Sequence, residues 1–214
     1  DYHHTEQKLL PPKYRNYSSK YWDKKTMSPS SLLFYLGTNK KLKNIEHHCL
    51  FFDKDFDQHA KDIYEFPQWP EEPLFYGSFS SKSDNSVSPK GCENIVLLVP
   101  IAPNLKDSET IREKYYNIIM DRLEKLTKQS IKKHVIYKKS YCINNFKKDY
   151  NSFRGNAYGL ANTLFQTAIF KPSIKNKKLN NLYYCGQLTV PGPGVPPSII
   201  SGEVSSKEII RDFN

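Results

Sequence analysis

The stretch NLYYCGQLTVPGPGVPPSIISG (residues 181–202) decides how the fold is read. Its first five residues form an apolar run that predicts a short strand stopping at Gly186. The segment 187–197 then carries two glycines and four prolines, which predict a tight, stiff loop. Beyond it Ser198, Ile199, Ile200, Ser201 and Gly202 open a helix, with Pro196 or Pro197 in its first turn, where a missing N–H costs nothing. Strand, loop and helix start together predict free backbone N–H groups and the positive end of a helix dipole. Such a corner suits an anion or the electron-rich edge of a cofactor. Gly192 and Gly194 would let the main chain approach a flat ligand with no Cβ in the way. Gly202, with Ser201 and Ser205, would let the helix pack closely on its neighbours. The same residues also read as a Pro/Gly turn that only reverses the chain. The dinucleotide fingerprint is not met, because the third glycine position after Gly192 and Gly194 is Pro197, and G-x-G-x-x-G occurs nowhere else in the chain.

Moving outward, the upstream sequence alternates short apolar runs with turns. SLLFYL (31–36), HCLFF (48–52), residues 73–79 and NIVLLV (94–99) each predict a strand, and the Ser-, Lys- and Asn-rich stretch 80–91 a loop. The pattern then turns helical. Ser108 is the expected N-cap of a helix over 109–127, on which Tyr115, Ile118, Ile119, Leu123 and Leu126 recur at three- and four-residue spacing. HVIYK (134–138) predicts another strand and 144–150 a turn or two of helix. Residues 1–30, with Pro11-Pro12 and the cluster Tyr14, Tyr17, Tyr21 and Trp22, predict an irregular lead-in holding one short helix. The expected class is α+β, a mixed or antiparallel sheet covered by helices. The expected division is a sheet-bearing part over 1–150 and a C-terminal segment over 151–214.

Composition narrows the function classes. The 214 residues carry 32 Lys+Arg against 22 Asp+Glu, a net charge of +10, and aromatic residues make up 14%, more than a disordered chain leaves uncovered. No apolar run approaches the roughly 20 residues of a membrane-spanning helix. Only five of the basic residues are Arg, which weakens a base-reading or bidentate phosphate-binding role, and nucleic acid is not an expected partner. Between Lys125 and Lys148 stand eight Lys and no acid, a run that reads as a solvated face or as attraction to anionic lipid headgroups. Cys49, Cys92, Cys142 and Cys185 are dispersed, with no CxxC pair. No secretory signal stands at the start, so the expectation is a cytoplasmic protein with reduced thiols, attached peripherally to a membrane. His3-His4 and Glu46-His47-His48-Cys49 offer metal-ligand types without ligand spacing; neighbouring histidines on a strand would face opposite ways, and no metal site is assigned. The chain starts at Asp1, inside the motif-like DYHHTE, which predicts an excerpt of a longer protein.

Against these readings stands a resemblance. GNAYGLANTLFQTAIFKP (155–172), followed by 181–202, looks like the C-terminal part of the bacterial phytoene desaturases, FAD-dependent carotenoid dehydrogenases related to the amine oxidases. DYHHTE, YWDKKTMSPSSLLFYLG (21–37) and FPQWP (66–70) look like that family too. The resemblance implies a flavoprotein that withdraws hydrogen from a long polyene precursor. Its FAD would be held mainly by an N-terminal Rossmann-like half that this chain lacks, leaving most of the substrate domain and the returning strand–loop–helix of the FAD domain. Carried over by position, it places Gly186, Gln187 and Thr189 beside the cofactor, with Gly192, Gly194, Val195 and Pro196 at the isoalloxazine end. No residue is assigned as the catalytic base, and the electron acceptor stays open between a quinone and oxygen. SLLFYL and the apolar side chains Leu164, Phe165, Ile169 and Phe170 would contribute walls to an apolar tunnel, although ordinary core packing is the plainer reading of each. The motifs do not separate phytoene from diapophytoene or a hydroxylated carotenoid as substrate. From another class, a non-catalytic basic module binding lipid or nucleic acid is the rival.

Overall fold

The computed structural model covers residues 1–214. In chain order its main elements are α1 (Tyr2–His4), α2 (Ser19–Asp23), β1 (Ser30–Thr38), β2 (His48–Phe51), α3 (Phe56–Tyr64), β3 (Phe75–Ser78), β4 (Glu93–Ile101), α4 (Glu109–Thr127), β5 (Val135–Tyr141), α5 (Ile143–Tyr150) and α6 (Val195–Phe213). The chain divides into two compact units, one formed by residues 30–144 and the other by 1–29 with 145–214. The lead-in therefore groups with the C-terminal segment and not with the sheet.

The sheet unit is α+β. Five strands lie in the order β2-β3-β4-β1-β5, and every neighbouring pair is antiparallel. Alternation does the folding: along β4 every second residue from Glu93 to Ile101 is buried, and the other set is only half-covered. Leu32, Phe34, Leu36, Ile95, Leu97, Val99 and Ile101 form one face. Tyr115, Tyr116, Ile119, Met120 and Leu123 of α4 close over it in one core cluster. The Ser108 hydroxyl accepts the Ile111 N–H at 3.3 Å, the expected N-cap. Arg112 at the start of α4 is buried and holds Asp107 through two hydrogen bonds of 2.7 and 2.6 Å. All the strands expected between residues 31 and 138 are present, with small shifts at their ends. α3 was not expected. Asp55 caps it by accepting the Gln58 N–H, and its short amphipathic pattern sits among turn residues that hide it.

The second unit is built mostly from turns. Trp22 is fully buried and packs edge-on to Tyr17 and Tyr21, while Tyr2 stacks on Tyr184 at 3.8 Å. Met27 pairs with Leu160 in an isolated bridge, and Gln166 clasps Thr26 through both its amide atoms, at 3.0 and 2.8 Å. DYHHTE turns out to be structural. Asp1 accepts the N–H groups of His3 and Phe153, and the fully buried Glu6 accepts those of Asn16 and Tyr17. Burial pushes the Glu6 carboxyl above its usual pKa.

Candidate cofactor site

Residues 181–185 do not make the expected strand. Tyr183 forms one isolated bridge with Lys175, and the chain is otherwise tied by single bonds from Tyr184 N to Ile174 O and from Asn176 N to Leu182 O. The facing segment is too short to extend a ladder, so the apolar run spends its side chains on the aromatic core instead.

The loop that follows is held by hydroxyls. Gly186 N donates to Ser201 Oγ at 2.9 Å, Ser201 Oγ lies 2.7 Å from Thr189 Oγ1, and Thr189 Oγ1 donates back to Gly186 O at 2.9 Å. One turn further along α6, Ser205 Oγ donates to Tyr184 O at 2.9 Å. Ser201 and Ser205 are the buried residues of α6, so its closest contacts use hydroxyls and not methyls. Gly202 has open space around it, against the expectation that close packing requires it.

Gly192 and Gly194 take φ of +134° and +116°, a region closed to most side chains. Gly194 is the N-cap of α6 and leaves the helix without a side-chain cap. Pro196 and Pro197 do lie in the first turn, but they bring no N–H. Among the first three helical positions only Val195 carries one, fewer free donors than the sequence implied. The dipole end itself remains, and Val195 and Pro196 are exposed there.

Two hollows adjoin this loop. A cleft of about 430 Å³ is bordered by Asp1, Tyr2, Ser152, Asn156, Gly186 and Gln187. A shallower groove of about 540 Å³ runs between Ala157-Tyr158 and the start of α6, and Gln187, Gly194 and Val195 share its wall. Gly186, Gln187, Gly194 and Val195 are thus brought to open surface. The Thr189 side chain is turned inward as a fastener, and Gly192 is buried.

Sequence reasoning missed Lys171. Its side chain passes under Gly192, where a Cβ would stand 3.3 Å from Cε and 3.4 Å from Nζ. The residue is only 6% exposed, and Nζ has no hydrogen-bond partner. Burial lowers its pKa. A lone Lys between an apolar run and Pro172 was the available signal, one that composition alone cannot separate from a surface lysine.

On the sheet unit, the face away from α4 is partly open and carries one largely apolar row. The register lines up Tyr141, Leu33, Leu98, Tyr76 and Leu50 across all five strands. At about 4.8 Å between strands this row is roughly 19 Å wide. SLLFYL therefore serves both faces, with Leu32, Phe34 and Leu36 in the core and Leu33 and Tyr35 on the open side. In the other unit Leu164, Phe165, Ile169 and Phe170 are exposed, so core packing does not account for them. Within the Lys-rich run, Lys132 pairs with Asp121 at 2.5 Å and Lys138 with Glu113 at 2.7 Å. His47 precedes β2, so alternation does not separate it from His48, and the two rings stack at 4.0 Å. None of the four cysteines forms a disulfide, and no helix is long and apolar enough to cross a membrane.

No protein-family profile matches the chain. Curated proteins do. It is 40% identical over 213 residues to a carotenoid 3,4-desaturase of Haloarcula japonica, covering 100% of this chain and 43% of that protein. It is 29% identical to a 4,4'-diapophytoene desaturase of Staphylococcus haemolyticus, over 100% of this chain and 44% of that one. It is 27% identical to a zeta-carotene-forming phytoene desaturase of Myxococcus xanthus, over 98% and 41% respectively. The chain spans less than half the length of each.

Proposed function

Starting from a chain homologous along its whole length to part of the carotenoid desaturases, we propose that it is the C-terminal portion of an FAD-dependent desaturase. That enzyme would convert C–C into C=C in phytoene-like polyenes during carotenoid biosynthesis. The full-length match carries the reading. The loop is consistent with it, because the bare glycine backbone at Gly192 and Gly194 and the partnerless ammonium of Lys171 fit a flat, electron-accepting ring. FAD, when bound, supplies the acceptor for the hydride, and the hard chemistry is the cofactor's.

In this reading residues 151–214 complete the FAD domain as the returning part of its Rossmann-like fold. Gly186, Gln187, Gly194, Val195 and Pro196 offer backbone and shape to the cofactor. Thr189 fixes the loop from within, and Gly192 keeps space between main chain and ring. The dipole of α6 favours negative charge near its start. The sheet region, the larger share of 1–150, belongs to the substrate domain, and the row from Tyr141 to Leu50 gives a hydrocarbon chain an apolar bed without hydrogen-bonding demands. The exposed apolar side chains of α6 are contact surface for the remainder of the protein. The exposed Leu164, Phe165, Ile169 and Phe170 favour peripheral contact with lipid, from which such a substrate is drawn.

The test is expression of the complete protein in cells accumulating phytoene, diapophytoene or a hydroxylated carotenoid. The expected result is flavin absorbance at about 450 nm in the purified protein and a longer conjugated chromophore from one of the three precursors. A protein without flavin that changes none of them would refute the reading. Co-sedimentation with anionic liposomes at low salt is expected, and its absence would remove the membrane attachment alone.

A further inference from the structure

The groove between residues 168–175, Val190 and the middle of α6 holds two lysines with opposite fates. Lys175 reaches Asp212 in a short ion pair. Lys171 has no carboxylate, carbonyl or hydroxyl within bonding distance of its Nζ, although that atom is withdrawn from water. Glu208, the acid lining the same groove, is taken by Arg211. A buried cation with no partner is among the costliest placements a chain can make. Flexible Lys would escape to solvent if the site only needed filling. Here the side chain is instead fitted beneath Gly192. Its Cε and Nζ occupy the space that a Cβ at that position would press against, and Gly192 sits at a φ few side chains tolerate. No group of this chain supplies the counter-charge, and the residue that lies over the ammonium, Gly192, has no side chain to screen it.

We infer that Lys171 is an electrostatic positioning residue, holding positive charge behind Gly192 for the negative charge that a bound flavin takes up at the N1–C2=O edge of its ring. This rests on reading 186–196 as the flavin-facing segment. The charge would arise as the substrate gives up a hydride to the ring while the paired proton leaves to water, and a quinone or oxygen would then take the electron pair from the reduced flavin. Lys171 does not touch the reacting carbon. It acts through the Gly192 main chain, at short range and in a dry setting where screening is weak.

The test uses full-length, FAD-loaded protein and sulfite as the probe, because sulfite adds to the flavin ring, leaves negative charge at the N1–C2=O edge and bleaches the absorbance with no turnover needed. Lys171→Met is expected to keep FAD but to weaken sulfite affinity by about tenfold or more, the effect of removing a unit charge within roughly 10 Å inside a protein. Its flavin reduction potential should fall as well. Lys171→Arg, which keeps the charge, should stay close to wild type on both measurements. Should Lys171→Met precipitate, Lys171→Gln serves with the same expectation. FAD-bound Met and Gln variants with wild-type sulfite affinity and potential would overturn the inference. So would weaker FAD retention with an unchanged potential, which would assign the charge to the cofactor's pyrophosphate. A wild-type protein that binds no flavin would overturn the segment's reading itself, an outcome visible before any variant is made.

Discussion

α4 and α6 each run for nineteen residues, yet they bury opposite kinds of side chain. α4 sinks Tyr115, Tyr116, Ile119, Met120 and Leu123 against the sheet. α6 sinks Ser201 and Ser205 and leaves Val195, Ile199, Ile209, Ile210 and Phe213 in the open. The lesson is that hydrophobic periodicity reports which face of a helix will be covered, and not by what. The stripe on α4 is answered by strands of this chain. The apolar residues of α6 are answered by nothing in it, and the curated relatives are more than twice as long.

The largest way to break the contrast acts at the base of α4. The Asp107 side chain is fully buried, bonded twice to Arg112 and once to the N–H of Asn144. Replacing it, Asp107→Ala, strands the guanidinium and should cost about 3–5 kcal/mol, read as a lower urea midpoint and faster amide exchange over 109–127. Burial alone would raise the Asp107 pKa, but the Arg112 hydrogen bonds, the Asn144 N–H and the Arg112 charge outweigh it, and the net shift is below the usual 3.8. This contribution is therefore complete above pH 3.8 and lost as pH falls through the folded-state value. An α4 that keeps equal protection at pH 7 and in strong acid would count against the pair.

A smaller effect is expected from Ser201→Ala. It removes the acceptor for the half-buried Gly186 N–H and the partner of the buried Thr189 Oγ1. About 1–3 kcal/mol should be lost, with exchange in 186–205 quickened and α4 untouched. Equal loosening of both helices would mean that the two units do not respond separately.

Where the chain supplies both sides of an interface, the sequence was readable. The alternation of NIVLLV, the Ser108 cap and the three- and four-residue spacing of α4 led directly to the sheet unit, because each pattern is a local statement of which side faces the core. α3 escaped because nine residues of modest apolarity between turn signals look like loop. The run 181–185 misled for a different reason. Its apolar side chains are as suited to an aromatic cluster as to a ladder, and only the partner segment decides which. At the loop, Gly192, Gly194 and the prolines were legible as backbone statements, since their φ preferences are intrinsic. Lys171 was not, because a lysine's burial and its lack of a partner are properties of what surrounds it in space.

The smallest effect is also the one that sharpens the comparison between helices most. Ile199 lies on α6 with most of its surface in solvent, so Ile199→Ser removes little buried area in this chain. Its unfolding free energy should move by no more than about 0.5 kcal/mol, whereas Leu123→Ala on α4 should cost about 2–5 kcal/mol. In the longer protein proposed above the two helices should become alike. If the α6 face is covered there, Ile199→Ser forfeits the burial of a large aliphatic side chain, about 1.5–3 kcal/mol. The informative quantity is the difference between long and short proteins carrying the same substitution, followed by thermal or urea unfolding. A difference near zero would mean that α6 keeps its isoleucines in water in the longer protein too, and the contrast with α4 would then be a property of the helix itself.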